Sequence, residues 1–471
     1  METRTYSSPD RAAPRSWPVV PTALAALAIA GLTVFSPIAA TAVVAAAMLS
    51  VLALADVSAV LAVAVALSMA LERTNYANTS LSLGGIDLYP NDLLVGALSA
   101  AALVTAARSG GVPALPRDRI SLTLVAFLCY GLFSTVRSLG LHGWAAVLGF
   151  RIQYFYALLF PLTLWALRSE RARRGLLVAV LVSGVVTGLQ AIWNVVTDTP
   201  VGSLTGSRTA RYLSGLQALV LFFSTVLLAA VHRRVGRAPA LLLGGLYVSG
   251  ILVSQARSIW LGGLVAVGFV TLATRGWRGF ARGVAIGAFI SVLLVGGFVA
   301  TGSLDRLPVV GDVSTRVTSL SELDQDATAI WRLVVWGEAL LALRADPILG
   351  LGLGKPFVYF DSIKGEFDDD RQLHNSYLEL AYYTGFLGAA FLIAFQVFVL
   401  QATLRAARTT SDRERADRLR ALAACQVALA AVAFTNVIGA SMTATTWSWV
   451  LAGASMAEAR AARIMEHHET L

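Results

Sequence analysis

The sequence predicts an all-α, polytopic membrane bundle of about 12–14 spans with one large extracytoplasmic loop. Three observations predict it. First, 56% of the 471 residues are hydrophobic and only 14% are charged, against about 25% charged in a soluble globular protein; the mean hydropathy is +0.69. Second, continuous Leu-, Ala- and Val-rich runs recur along the whole chain without the alternation of half-buried strands. Third, arginine gathers in every other joint between those runs, as the positive-inside rule asks of a membrane protein.

The elements follow in order. Residues 1–18, rich in Ser, Pro and Arg, read as a disordered cytoplasmic tail. Spans are expected at 19–36, 38–55, 57–71, 93–107, 120–136, 152–167, 176–196, 212–231, 240–255, 259–274 and 284–301, then at 380–404, 421–439 and 443–458. The organisation is thus a bundle over 19–301, an extracytoplasmic loop over 302–379, C-terminal spans over 380–458 and a cytoplasmic tail over 459–471. The first run has a basic leader like a signal peptide, but a second run follows at once, and the charge parity works only if the first is kept as a helix. With fourteen spans and a cytoplasmic N-terminus, the arginine joints at 4–15, 108–119, 168–174, 233–237, 275–282, 405–420 and 460–463 all fall inside. They hold 24 of the 37 basic residues. The basic balance therefore reports topology; it does not mark a nucleic-acid surface, which needs its charges on one face. Cys129 and Cys425 fall in expected spans and read as small buried thiols.

The loop breaks the pattern. Residues 302–379 carry thirteen acidic and seven basic side chains. A loop this long is generally a lid or binding segment. Ile330 to Arg344 reads as an amphipathic helix, with Ile330, Leu333, Gly337, Leu340 and Leu341 on one stripe, Thr328 as its cap and Pro347 beyond its end. Trp331 and Trp336 suit a helix lying in the headgroup layer. Gly350, Gly352 and Gly354 mark a turn whose backbone approaches something closely.

The candidate chemistry is sparse. Of the five histidines, His142 and His374 face outward, whereas His232, His467 and His468 face the cytoplasm. His374, followed by Asn375, is either a general base near neutral pKa or a group that caps the next span and touches headgroups. Arg208, Arg211 and Arg257 stand at an outward membrane edge. They either fork onto a diphosphate or snorkel to lipid phosphates. Arg257 is the strongest of the three, because the tight turn Ser254-Gln255-Ala256-Arg257 leaves its side chain few places but a cleft. Arg332 is placed to support the loop helix. Asp368, Asp369 and Asp370 read as a solvated run in preference to a metal site, and Asp87 and Asp92 are poorly spaced for one.

Taken in order, Arg332-x-x-x-Trp336, Pro347-x-x-Gly350-x-Gly352-x-Gly354, His374-Asn375-x-x-Leu378 and Gly385-x-x-Gly388 resemble the O-antigen ligase and O-antigen polymerase superfamily of bacterial membrane glycosyltransferases. The turn around Arg257 is similar to that family's Ser-Arg turn. The resemblance implies a glycosyltransferase class-C-like fold in the bacterial inner membrane with both termini cytoplasmic. It implies transfer of a glycan from an undecaprenyl-diphosphate donor to an acceptor hydroxyl, with no metal or other cofactor. It maps the base to His374 and the essential arginines to Arg257 and to Arg211 or Arg208. Asn375, Arg332, Gly352 and Gly354 are then expected to contact substrate. Where the family has an Asn after the first arginine, this chain has Ser214, Gly215 and Gln217. The expected partners are a lipid-linked oligosaccharide or polysaccharide, a glycan, lipid or protein acceptor, and membrane lipids, with no nucleic acid. Ligase, polymerase and protein O-glycosylating transferase share this signature. The rival class is a glycan transporter or flippase without bond formation, which would place charged or broken helices at mid-membrane depth.

Overall fold

The computed structural model describes residues 58, 61, 62, 65, 81–83, 86–88, 92, 95, 96, 98–100, 102, 117–199, 201–203, 210–276, 278, 327–361, 366–368, 373–436 and 441–469. The spans expected at 19–36, 38–55 and 284–301, Arg208, and residues 369–371 lie outside them.

In chain order the described elements begin with a ribbon of β1 (Leu81–Leu83) and β2 (Ile86–Leu88), then α1 (Arg119–His142) and α2 (Trp144–Gln153). A 3-10 turn over Phe155–Leu158 leads into α3 (Leu159–Ala166). Next come α4 (Glu170–Val196), a ribbon of β3 (Gly202–Ser203) and β4 (Ala210–Arg211), α5 (Gly215–Val235), α6 (Arg237–Val253) and α7 (Arg257–Gly276). The late loop contributes α8 (Ala327–Leu343) and a ribbon of β5 (Tyr359–Asp361) and β6 (Glu366–Asp368). The chain then runs through α9 (Ser376–Thr409), α10 (Arg413–Thr435) and α11 (Met442–Glu469). Each ribbon is two antiparallel strands. Among the described residues seven helical stretches are long and apolar enough to cross a membrane, and α6 is a shorter apolar helix.

Local chemistry sets the helix starts. Asp118, Ser169 and Asp412 accept backbone N–H groups of the first turns of α1, α4 and α10, satisfying donors that have no intrahelical partner. Ser214 and Gln217 form a reciprocal capping box on α5, which is what stands where the family pattern has Asn. The core gathers on aromatic rings. Phe127 of α1 meets Tyr154 with centroids 4.5 Å apart, and Phe395 of α9 meets Phe160 and Trp449, both at 5.0 Å. Trp447 and Tyr154 are fully buried.

The arginine joints meet at one end. Arg460 reaches Asp118, Arg173 reaches Glu458, Arg415 reaches Glu170, Arg234 reaches Glu414, and Arg408 donates to the Ala273 carbonyl. At the opposite end His374 lies two residues before α9, Arg211 ends β4 ahead of α5, and Arg257 is the first residue of α7. We call these the arginine end and the loop end.

Several boundaries differ from expectation. The span expected at 152–167 starts at Trp144 and breaks at Tyr154, whose φ of −124° and ψ of −38° interrupt the helix. Residues expected in an outward joint, Arg151 among them, therefore lie within a spanning stretch. The Tyr154 ring fills the notch at Gly131, where a Cβ would strike it. The helix α11 continues to Glu469, through most of the expected C-terminal tail. Cys129 is exposed on the bundle surface, Cys425 is buried, and both are free thiols.

The largest departure is in α9. Gly385 has φ 72° and ψ 174°, so the helix bends there. Tyr377 Oη donates to Gln396 Oε1 at 2.9 Å across nineteen residues; a straight helix would hold them about 28 Å apart. The backbone groups freed by the bend are taken up by the glycine turn. Leu351 N donates to the Tyr382 carbonyl at 2.9 Å, Gly352 N to that of Tyr383 at 3.0 Å, and Phe386 N to that of Pro347 at 2.8 Å. Tyr130 Oη closes on the Thr384 carbonyl at 2.6 Å. Gly350 (φ 70°) and Gly385 lie so close that a Cβ on either would strike the other segment's backbone. Gly385→Ala should therefore lower stability by about 3 kcal/mol or more. Gly337→Ala, on the exposed face of α8 with open space around it, should be neutral or gain about 0.5–1 kcal/mol. Thermal unfolding of the purified protein checks both.

Candidate functional site

The late loop is built around its helix. α8 begins at Ala327, so Thr328 lies within it and not at its cap. Ile330, Leu333, Leu340 and Leu341 are 41–65% exposed, and they form the expected apolar stripe turned away from the protein. The opposite face buries Val335 and Ala339 against Phe357, Tyr359, Leu373 and Tyr382.

Two tryptophans of that helix hold the histidine. Trp336 Nε1 donates to the Leu373 carbonyl at 2.8 Å. Trp331 meets the His374 ring edge to face, with centroids 5.2 Å apart, and donates from Nε1 to Tyr359 Oη at 2.7 Å. His374 has φ 48°, a left-handed conformation uncommon outside glycine and enriched in Asn, Asp and His. The backbone carbonyl on one side is pinned and the ring is packed, so the unusual dihedral has a local cause. His374 is half-buried. Next to it, Asn375 caps α9: its Oδ1 accepts from Tyr377 N and Leu378 N, both at 3.1 Å.

The glycine turn is gripped from α1. Arg137 donates to the Leu349 and Gly350 carbonyls and pairs with Asp346 at 2.6 Å. Ser138 Oγ accepts from Leu353 N at 2.9 Å, and His142 Nε2 lies 3.2 Å from the Leu351 carbonyl. Gly352 (φ 99°) packs on Ser138 and His142, and Gly354 (φ 84°) on the backbone of Ala145. The close approach expected of these glycines is therefore made to the protein's own helices. His142, the other histidine expected to face outward, serves the same turn.

Arg257 is the first residue of α7, after a turn in which Gln255 has φ 52°. It is half-buried. Gly262 of α7 packs on Val432 and Ala428 of α10, and α10 ends at Asn436, whose carbonyl accepts from Ser376 Oγ at 3.0 Å. Phe434 also meets Trp336, with centroids 5.7 Å apart. Arg257 and His374 thus flank the same end of α10. Arg211 sits at the end of the β3–β4 ribbon; two residues on, Leu213 packs near Gly250 of α6, one turn before the Arg257 turn. Arg332 is half-buried in α8 beside Trp331.

Some polar residues here were not anticipated from the sequence. Arg151 pairs with Asp92 at 3.2 Å, and Tyr156 Oη donates to Asp92 at 2.9 Å. Gln153 Nε2 donates at 3.2 Å to Glu379, which is 3% exposed in the first turn of α9. A helix N-terminus favours a carboxylate. The signal was present: Arg151 and Gln153 stand inside an apolar stretch that is long enough to span once it is started at Trp144, and ionisable groups inside spans are functional by default.

A cavity of about 560 Å³ opens beside these residues. Gln153, Ser376 and Tyr377 line its loop-end portion, and mostly apolar side chains of α9, α10 and α11, such as Phe395, Leu400 and Trp449, line the rest, with Gln396, Gln426, Thr445 and Ser448 among them.

Asn375→Ala should cost about 1 kcal/mol through the lost cap, whereas Asn375→Asp keeps the acceptor and should remain near wild type. Unfolding midpoints of the two variants decide whether the cap accounts for this side chain's effect on stability.

No curated protein matches the chain. Residues 240–393 match the family model described as O-antigen ligase. That segment runs from α6 through the Arg257 turn, the loop helix, the glycine turn and His374 to just past the bend of α9, so the motifs that carried the resemblance fall inside the stretch that is similar to the O-antigen ligase family.

Proposed function

We propose that the protein transfers a glycan from an undecaprenyl-diphosphate-linked donor to an acceptor hydroxyl at the loop end of the bundle, without a metal. The observation that carries this reading is the position of His374. It lies inside the O-antigen ligase segment, is held by two tryptophans, and sits two residues from the mouth of a largely apolar cavity. Such a cavity suits an isoprenoid tail. His374 takes the proton of the acceptor hydroxyl, whose oxygen attacks the sugar's anomeric carbon. The bond from that carbon to the diphosphate oxygen breaks in the same displacement, inverting the centre, and the lipid diphosphate leaves. Arg257, with Arg211, neutralises the leaving charge, the role a metal plays elsewhere. Arg208 and Arg332 are assigned to donor binding, whereas Asn375, Gly352 and Gly354 act indirectly, by capping α9 and seating the glycine turn on the protein's own helices. The expected setting is the bacterial inner membrane, with the loop end facing out.

A flippase reading draws on a separate observation: the Arg151–Asp92 pair lies beside a broken helix within a spanning stretch, the kind of place where transporters bind their cargo. Reconstitution with a lipid-diphosphate glycan separates the two, since a flippase moves the donor without forming a bond.

His374→Ala should reduce glycan transfer by about a hundredfold or more at unchanged membrane levels; transfer at the wild-type rate removes the base. Arg257→Lys keeps the charge and loses the fork. Its transfer rate should fall at least about tenfold, and a rate near wild type would argue against a diphosphate clamp.

A further inference from the structure

At the arginine end, remote from His374, α3, α4, α10 and α11 enclose a second cavity, of about 640 Å³. One wall carries Arg168, Arg173, Arg415 and Arg460, with Glu170 the only acidic group among the described residues that line it. The other wall is apolar and includes Leu164, Trp165 and Ile464. Ile464 is 61% exposed, so this wall opens at the surface of the bundle.

The acidic groups nearby are already shared out. Glu458, 3% exposed, is divided among Arg173 at 2.9 Å, Arg415 at 3.6 Å and Arg418 at 2.7 Å. Glu170 serves Arg173, Arg174, Arg415 and Arg418. Arg415 comes off worst. It is 5% exposed, its two ion pairs are the loosest of the network at 3.5 and 3.6 Å, and its Nε makes no hydrogen bond. One guanidinium nitrogen rests on the Met465 sulfur, a weak acceptor, and reaches the Ala461 carbonyl only at 3.5 Å. A buried guanidinium calls for better acceptors than these.

We propose that this cavity holds the headgroup of an anionic phospholipid. The phosphate would lie against Arg415, with Arg168 and Arg460 beside it and the acyl chains along Leu164, Trp165 and Ile464. Guanidinium forks match phosphate oxygens, and basic pockets between helices at the cytoplasmic side of membranes take such headgroups. The apolar wall favours a lipid over a free phosphate, which has nothing to place there. The site shares no residue with the glycan-transfer reading and stands without it.

The test uses the full chain purified in neutral detergent. Phosphatidylglycerol, phosphatidylcholine and inorganic phosphate are added separately, and bound lipid is read by native mass spectrometry alongside the unfolding temperature. Phosphatidylglycerol should bind and raise the unfolding temperature, and the other two should not. Arg168→Gln and Arg168→Gln/Arg460→Gln should weaken phosphatidylglycerol binding about fivefold for each arginine removed. Arg233→Gln/Arg237→Gln removes two exposed arginines that do not line the cavity and should leave binding unchanged. Equal weakening by both double variants would reduce the effect to diffuse charge and overturn the proposal. Equal stabilisation by inorganic phosphate, or by phosphatidylcholine, would overturn it too. The exposed Arg168→Gln single variant keeps the test decisive if the double variant folds poorly.

Discussion

A helix that breaks inside a membrane protein leaves carbonyls and N–H groups with nowhere to go, because lipid offers no hydrogen bonds. The bend of α9 at Gly385 creates this problem, and much of the loop end is organised by its solution. The carbonyls of Tyr382, Tyr383 and Thr384 receive Leu351 N, Gly352 N and Tyr130 Oη, and Phe386 N turns to Pro347. Two short motifs that look independent in the sequence, Pro347-x-x-Gly350-x-Gly352 and Gly385-x-x-Gly388, are the two halves of one joint. Glycine is required at Gly350 and Gly385 for two reasons together: both have positive φ, and each backbone occupies the space of the other's Cβ.

The joint also explains the polar face of α1. Tyr130, Arg137, Ser138 and His142 recur at helical spacing and all contact the 346–353 segment or the bend. Such residues along an apolar span are costly unless satisfied, and here each has a backbone partner. From the joint, the chain runs through Phe357 and Tyr359 to the tryptophans of α8, and these reach Leu373 and His374. The histidine is thus held by a series of contacts that starts at a broken helix.

Much of this was legible in the sequence, and what was missed has physical reasons. Apolar run length located the described helices, because lipid thickness fixes their length. Charge parity put Arg173, Arg234, Arg408, Arg415 and Arg460 at one end, where ion pairs and carbonyl contacts join them. The glycine turn's need for close approach was readable from three glycines at alternate positions. Its partner was not, since contacts between distant segments leave no local trace. The bend at Gly385 was hidden by the apolar run that continues through it. Arg151 lies just outside the span expected at 152–167, because its partner Asp92, distant in sequence, is what lets the charge sit inside a spanning stretch. Asn375 has the composition of either a cap or a ligand, and only its Oδ1 contacts show that it caps.

The apolar stripe of α8 has one more implication. On the proposed reading, the exposed Ile330, Leu333, Leu340 and Leu341 would set the depth of this helix at a lipid–water boundary, and its tryptophans would tie that depth to His374. The helix then works as a float and the histidine as the pointer attached to it. Under the proposed reaction, the height at which an acceptor must present its hydroxyl is set by the membrane surface as well as by the bundle. Bilayer thickness becomes a variable in acceptor selection.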